Sequence, residues 1–312
     1  MTGENMRLLR AEPLESPARK SASTRKPVTL ALVQEKWHGS QDAQMEVLAS
    51  AAKTAVAEGA ELIAFSELTL YPYVCDDPQG PSNSPWKPES LADGVSLGWA
   101  RSLASELQTP IMFSLYEEIP GEDLGYNTAV TLSAAGEIVL KTRKTHIPIT
   151  AGYYEDKWFL PSPGDAAKTA DVAGAKLGTA TCWDQWFPEL ARVYGLLETE
   201  LLLYPTAIGS EPEFPTWDTS QAWQSTMVGH AISNGFFVGA INRYGQEGLN
   251  NFYGSSFIAD PYGRILVKAP RDESTLLIAE LDLDMRRDWL EAFPFFATRQ
   301  PDAYKSLIEG KK

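Results

Sequence analysis

The sequence predicts an α/β fold, built as one domain with strands of both senses. Three observations support this. A strand, a helix and a strand follow one another early in the chain, which calls for a crossover unit in a helix-covered sheet. Two hairpin signals, "NTAVTLS" with "EIVLKTRK" and later "SSFIADPYGRILVKA", require antiparallel neighbours. No short-period repeat or linker divides the 312 residues, a length that one large domain can fill.

Taken in order, "VTLALVQ" (28–34) is a continuous run of β-formers and reads as a buried strand. In "QDAQMEVLASAAKTAVAEGA", Met45, Leu48, Ala52 and Val56 recur at helical spacing, and Gly59 suits a C-cap. "ELIAFSEL" follows as a strand with Glu67 near its end. A loop rich in Pro, Asn, Ser and Gly (76–95) precedes a helix near 96–108 and the strand "PIMFSLYEE". After the first hairpin come the strand "AKLGTATC", a helix from about Pro188, and the strand "TELLLYPTA". A helix across roughly 217–234 leads to the strand "FFVGAIN" and then the second hairpin.

Residues 1–27 read differently. They carry six Lys/Arg against three Glu, few large apolar residues and no sustained periodicity, which predicts a flexible tail before a folded domain over 28–312. The segment lacks the apolar centre of a secretory signal, and its glutamates argue against an organelle transit peptide. The net charge of -14 disfavours non-specific attraction to nucleic acid or anionic lipid. No apolar run reaches the roughly 18 residues of a membrane span. Two cysteines in the whole chain do not make a disulfide framework and fit a reducing, cytoplasmic setting.

Three residues stand out chemically. Cys182 ends a strand in "TATCWDQWFPELAR", and Pro188 opens a helix shortly after, as Pro is tolerated in a first helical turn. A strand-to-helix turn of this kind presents nucleophiles in α/β hydrolases, and a helix N-terminus or a cation would lower the thiol pKa. Free cysteine is also among the most buried residue types, so a packed, inert thiol is the plain alternative. A base could be His146 in "KTRKTHIP", or a carboxylate raised by burial, such as Glu67. Glu67 could equally be a strand-end carboxylate facing water. Lys144, ending the hairpin strand, is either a solvated charge or a cation held against a developing oxyanion. His38, His146 and His230 lack the spacing of a structural zinc site, and His230 reads as a structural histidine.

In combination, the glutamate after the first crossover unit, the lysine after "YNTAV...GEIVLKTRKTHIP" and the cysteine in "CWDQWFPE" resemble the nitrilase superfamily of carbon–nitrogen hydrolases. The resemblance runs from about Val28 to Tyr304. "CWDQWFPELAR", "YPTAIGSEP", "GHA", "INRYG", "GSSFIAD" and "RQPDAY" resemble in particular the branch that acts on N-carbamoylputrescine. The resemblance implies a four-layer α-β-β-α sandwich, a small amide or carbamoyl substrate, homodimers or larger oligomers, and a place in polyamine biosynthesis. It implies no metal and no organic cofactor. Residue by residue, it implies Cys182 as nucleophile, Glu67 as general base, Lys144 as the oxyanion-stabilising cation and Glu155 as a second glutamate beside the lysine. Trp183, Asp184 and Tyr73 are the expected substrate-binding residues, with packing as the alternative for Trp183 and Trp186. Asp76 and Asp77 read as loop charges unless a cationic substrate tail reaches them.

The continuations after "HIP" and after Glu67 depart from that branch, so neighbouring activities stay open: hydrolysis of an N-carbamoyl amino acid, an ω-amide or a nitrile. An amino-acid substrate would want an arginine for its carboxylate, with Arg143 and Arg192 as candidates. Outside the class, a thiol redox protein would use Cys182 with Cys75 as resolving partner. A binding scaffold without catalysis would be expected to have lost Glu67, Lys144 or Cys182, and all three are present.

Overall fold

The computed structural model describes residues 6–309. The first half of the chain contains β1 (Arg7–Arg10), β2 (Val28–Gln34), α1 (Gln41–Ala57), β3 (Leu62–Ala64), α2 (Val95–Leu107), β4 (Ile111–Glu117), β5 (Tyr126–Leu132) and β6 (Ile138–Arg143). A two-residue hairpin, β7 (Ile149–Thr150) with β8 (Tyr153–Tyr154), links the halves. Next come β9 (Thr169–Val172), β10 (Ala175–Thr179), α3 (Pro188–Leu196), β11 (Leu201–Pro205), α4 (Ser220–Asn234) and β12 (Phe237–Ile241). The chain continues through β13 (Tyr244–Glu247), β14 (Asn250–Tyr253), β15 (Phe257–Ala259), β16 (Ile265–Lys268), β17 (Thr275–Leu281) and α5 (Asp284–Ala292).

Thirteen of these strands form two mixed sheets, while β7-β8 and β13-β14 each form a two-stranded sheet of their own. One mixed sheet runs β1-β17-β2-β3-β4-β5-β6 and the other β16-β15-β12-β11-β10-β9. The parallel triplets β2-β3-β4 and β10-β11-β12 are each fed by crossover helices, and both hairpins read from the sequence pair antiparallel.

Side-chain alternation sets the layers. On β2, Leu30 and Leu32 face a core shared with Leu201, Leu203 and Phe237 of the second sheet. Ala31 and Val33 face the other way, onto Leu48 and Ala52 of α1 and Leu97 and Ala100 of α2. On β11 the next residues, Leu202 and Tyr204, pack beneath Leu190 and Tyr194 of α3 and Met227 and Ala231 of α4. Strands buried on both faces read as continuous apolar runs, which is the pattern of "VTLALVQ" and "LLLYP". The order α, β, β, α is therefore the expected four-layer sandwich. Each fully buried leucine in the shared core contributes about 1.5–3 kcal/mol.

Several boundaries move. The strand read over "ELIAFSEL" ends at Ala64, which places Glu67 in the turn beyond it. The helix read from about 217 begins at Ser220. β17, "TLLIAEL", is absent from the sequence reading and lies inside the first sheet between β1 and β2.

Where the sequence suggests a tail over 1–27, its described part follows the surface of the fold; residues 1–5 lie outside the described residues. β1 pairs parallel with β17, Arg19 bridges Asp282 and Asp288 at 2.7 and 2.9 Å, and Arg25 pairs with Glu200. An open sheet edge and an acidic surface hold this basic segment. Neither attraction leaves an apolar period in the sequence. Among the described residues, no helix is long and apolar enough to cross a membrane.

Candidate active site

Glu67, Lys144, Glu155 and Cys182 come from four separate segments and meet at the ends of the two sheets. Lys144 Nζ lies 2.9 Å from Glu67 Oε1 and 2.6 Å from Glu155 Oε2, and all three side chains are fully buried. The nearest donor atoms of Glu67, Glu155 and Cys182 lie within 4.8 Å of one another. Such a set could ligate a cation. Here the Lys144 ammonium already hydrogen-bonds both carboxylates.

Each member is fixed by its backbone. Leu68, directly after Glu67, sits at φ 50°, which turns the chain sharply at the end of β3. Ser114 on β4 accepts from Leu68 N–H and donates to Asn127 Oδ1. That orients Asn127 so its amide donates to Glu67 Oε1 at 2.7 Å. Glu67 Oε2 is buried and has no hydrogen-bond partner. Lys144 extends β6 by one residue, its N–H bonded to Asn127 O at 2.8 Å. Glu155 opens a single 3₁₀ turn, and Tyr73 Oη donates to its Oε1 at 2.9 Å.

Cys182 opens a 3₁₀ turn, Cys182–Trp186, between β10 and α3. Its φ of 46° lies in the left-handed region, where a residue with a Cβ costs roughly 1–2 kcal/mol. This strain tips the thiol out of the strand direction toward the carboxylates.

The electrostatics correct one expectation. Burial pushes the Cys182 thiol well up, Glu67 adds to the rise, and Lys144 only partly offsets both. A raised thiol pKa gives a base beside Cys182 a task to perform. Burial works against the Lys144 charge, but Cys182, Glu155 and Glu67 outweigh it and hold its pKa well above the ordinary value. Burial carries Glu155 up to about 7, against the pull of Lys144 and with the help of Glu67.

A narrow cavity of about 10 Å³, room for about one water, opens onto the cysteine and is lined by Pro148, Tyr153, Glu155, Trp183, Ile208 and Glu211 among others. Trp183 lines this cavity and packs edge-on against Trp186. Asp184 and Tyr73 are not in its lining. The Asp184 carboxylate accepts from the N–H groups of Thr181, Thr145 and His146, and its Oδ1 lies 2.7 Å from His146 Nδ1. It ties the cysteine turn to the segment after Lys144. Tyr73 reaches the site through Glu155.

The other candidates are engaged elsewhere. His146 is held by Asp184 and stacks on Phe187 at 3.5 Å, leaving Glu67 as the base candidate beside the thiol. Arg143 pairs with Glu117 at 2.5 Å, and Arg192 lies over Phe296 at 5.0 Å. Cys75 and Cys182 are both buried, free thiols. His230 is buried, near Tyr204 Oη at 3.1 Å, and burial lowers its pKa to about 4. The sequence reading passes over Asn127, Glu211 and Arg243, although "YNTAV", "YPTAIGSEP" and "INRYG" contain them.

Comparison with known proteins gives four findings. The carbon–nitrogen hydrolase family model matches residues 29–291. The chain is 37% identical over 265 residues to an N-carbamoylputrescine amidase of Arabidopsis thaliana, covering 82% of this chain and 87% of that protein. It is 34% identical over 288 residues to a citrullinase of Francisella tularensis, covering 90% and 98%. Among solved structures, a carbon–nitrogen hydrolase from Helicobacter pylori G27 superposes with a TM-score of 0.79 at 30% identity, covering 90% of this chain and 98% of that one.

Proposed function

The chain belongs to the carbon–nitrogen hydrolase family and hydrolyses C–N bonds other than peptide bonds; within that class we propose that it cleaves an N-carbamoyl amine, with N-carbamoylputrescine the first candidate. One observation carries the choice of substrate. Among the described residues, the cavity beside Cys182 is lined by two carboxylates, Glu155 and Glu211, and by no arginine. Glu211 is half-buried, and burial raises its pKa. A substrate ammonium at that wall would relieve the cost, whereas a substrate carboxylate would add to it.

In this reading Glu67 takes the thiol proton on Oε2, its buried and unpartnered oxygen. The sulfur of Cys182 bonds to the carbamoyl carbon, and the carbonyl oxygen becomes an oxyanion beside Lys144 Nζ. The N–H of Trp183, in the first turn after the cysteine where helical N–H groups lack intrahelical partners, is the second donor. The C–N bond to the terminal nitrogen breaks, Glu67 returns the proton to that nitrogen, and ammonia leaves. A water then gives a proton to Glu67 and its oxygen attacks the S-carbamoyl carbon, which releases the thiol and a carbamate. The carbamate loses CO₂ to give the free amine. With putrescine as product, the reaction would serve polyamine biosynthesis.

The similarity to a citrullinase names the competing substrate, a carbamoyl amino acid. The engagement of Arg143 with Glu117 and of Arg192 with Phe296 weighs against it. Two free thiols suit a cytoplasmic setting, and exposed Val193 and Leu196 on α3, with Leu197 just after it, support assembly into a homodimer. Ammonia release from N-carbamoylputrescine, citrulline and N-carbamoyl amino acids at equal enzyme concentration tests the proposal. The carbamoyl amine should be turned over fastest; a preference for either amino-acid substrate would overturn it.

A further inference from the structure

Arg243, just beyond β12, is 3% exposed. Its Nη2 donates to the carbonyls of Glu67 at 2.7 Å, Leu68 at 3.1 Å and Tyr71 at 3.3 Å. Three carbonyls converging inside a protein repel one another, and the left-handed Leu68 between them adds strain. A guanidinium is the side chain whose fixed donors can satisfy such a set while staying charged. Its Nη1 pairs with Glu247 at 2.8 and 3.0 Å. Glu247 Oε2 also accepts from Tyr73 N–H at 2.7 Å, and Tyr73 Oη is the donor to Glu155.

We propose that the buried Arg243–Glu247 pair is a positioning device that sets both carboxylates flanking Lys144, Glu67 through its own carbonyl and Glu155 through Tyr73. This rests on the reading of Glu67 as the base. The pair touches neither the substrate cavity nor the thiol, so it acts on the chemical step through geometry. Arg243 follows β12 of the second sheet, Glu247 lies on β13 of the separate β13-β14 hairpin, and the arginine grips the turn beyond β3 of the first sheet. The relative placement of base and nucleophile, carried on different sheets, thus depends on a contact that spans them. A displacement of about 1 Å at such a site can cost on the order of 100-fold in rate.

The test uses Arg243→Lys, which keeps a charge but has one nitrogen where the guanidinium uses two, Nη1 on Glu247 and Nη2 on the three carbonyls. Glu247→Gln keeps an oxygen for Tyr73 N–H and removes the charge partner. For each, kcat and KM for the carbamoyl substrate, the rate of Cys182 alkylation by iodoacetamide, and the thermal midpoint are measured on the purified full chain. The expected result is a fall in kcat of about 10- to 100-fold with KM within about threefold, together with slower alkylation, in protein that remains folded. Should Arg243→Lys fail to fold, Glu247→Gln decides alone. Wild-type kcat and alkylation per folded molecule, whatever the thermal midpoint, would overturn the proposal and reduce the pair to a structural contact. Glu67→Gln and Cys182→Ala are run beside them. If those keep activity, the reading of the base and nucleophile fails instead, and the two failures are told apart.

Discussion

Replacing Lys144 with methionine removes one charge from a fully buried cluster and leaves two carboxylates facing each other. The nearest oxygens of Glu67 and Glu155 lie within 4.8 Å. At an effective dielectric of about 20, repulsion at that distance is about 3–4 kcal/mol, worth about 2.5 pKa units. The variant therefore keeps a proton on one carboxyl at pH values where the unfolded chain has released it. The sign follows from linkage. A folded-state carboxyl raised above its unfolded value gives stability that is complete below the unfolded pKa and is lost as pH rises through the folded pKa. In the wild type Glu155 is already lifted to about 7 from its ordinary 4.5 by burial and by Glu67 in spite of Lys144, and removing the ammonium lifts it further. Urea denaturation of both proteins at pH 5, 6.5 and 8 measures the difference. The deficit of Lys144→Met should widen from pH 5 to pH 8, toward the roughly 3–5 kcal/mol expected when one partner of a buried ion pair is removed. Loss of the oxyanion cation should also lower kcat at least about 10²- to 10³-fold. A deficit that does not change with pH would show that the ammonium does not draw the carboxyl pKa values down, and the electrostatic account of the site would fall.

Three further expectations follow from the same geometry. Cys182→Ala and Cys182→Gly should both abolish ammonia release, while the glycine variant, freed from a Cβ at φ 46°, should be the more stable by roughly 1 kcal/mol in urea melts. Asp184→Asn swaps an oxygen that accepts backbone N–H groups for a donor facing them, so it should cost about 1–3 kcal/mol and lower kcat together with stability. A Cβ added at Gly209 would lie 2.2 Å from the carbonyl of Asn251, so Gly209→Ala should displace the cavity wall beside Ile208; an unchanged thermal midpoint and KM would contradict that packing.

How much of this was legible in advance depended on what kind of signal each feature left. The crossover units and hairpins were readable because strands buried on both faces leave unbroken apolar runs, and antiparallel pairs leave alternation around a turn. Cys182 was readable because a strand ends there and Pro188 starts a helix. The burial of Glu67 and Lys144 was not local information. A lysine after a hairpin strand looks solvated until two carboxylates from distant segments close on it, so those two were recognisable only as a set. Asp184 was misread for a related reason. Its neighbour Trp183 does reach the cavity, but a 3₁₀ turn sends successive side chains in different directions, and Asp184 faces the loop after Lys144. Arg243 left no pattern at all, since its three acceptors are carbonyls, which every sequence has.

Mass spectrometry of the quenched enzyme tests the central claim most directly. During turnover of N-carbamoylputrescine, the peptide containing Cys182 should gain the mass of the substrate less ammonia, and the gain should disappear in Cys182→Ala. Turnover with no adduct on that peptide, or an adduct on Cys75 instead, would contradict a covalent step at Cys182.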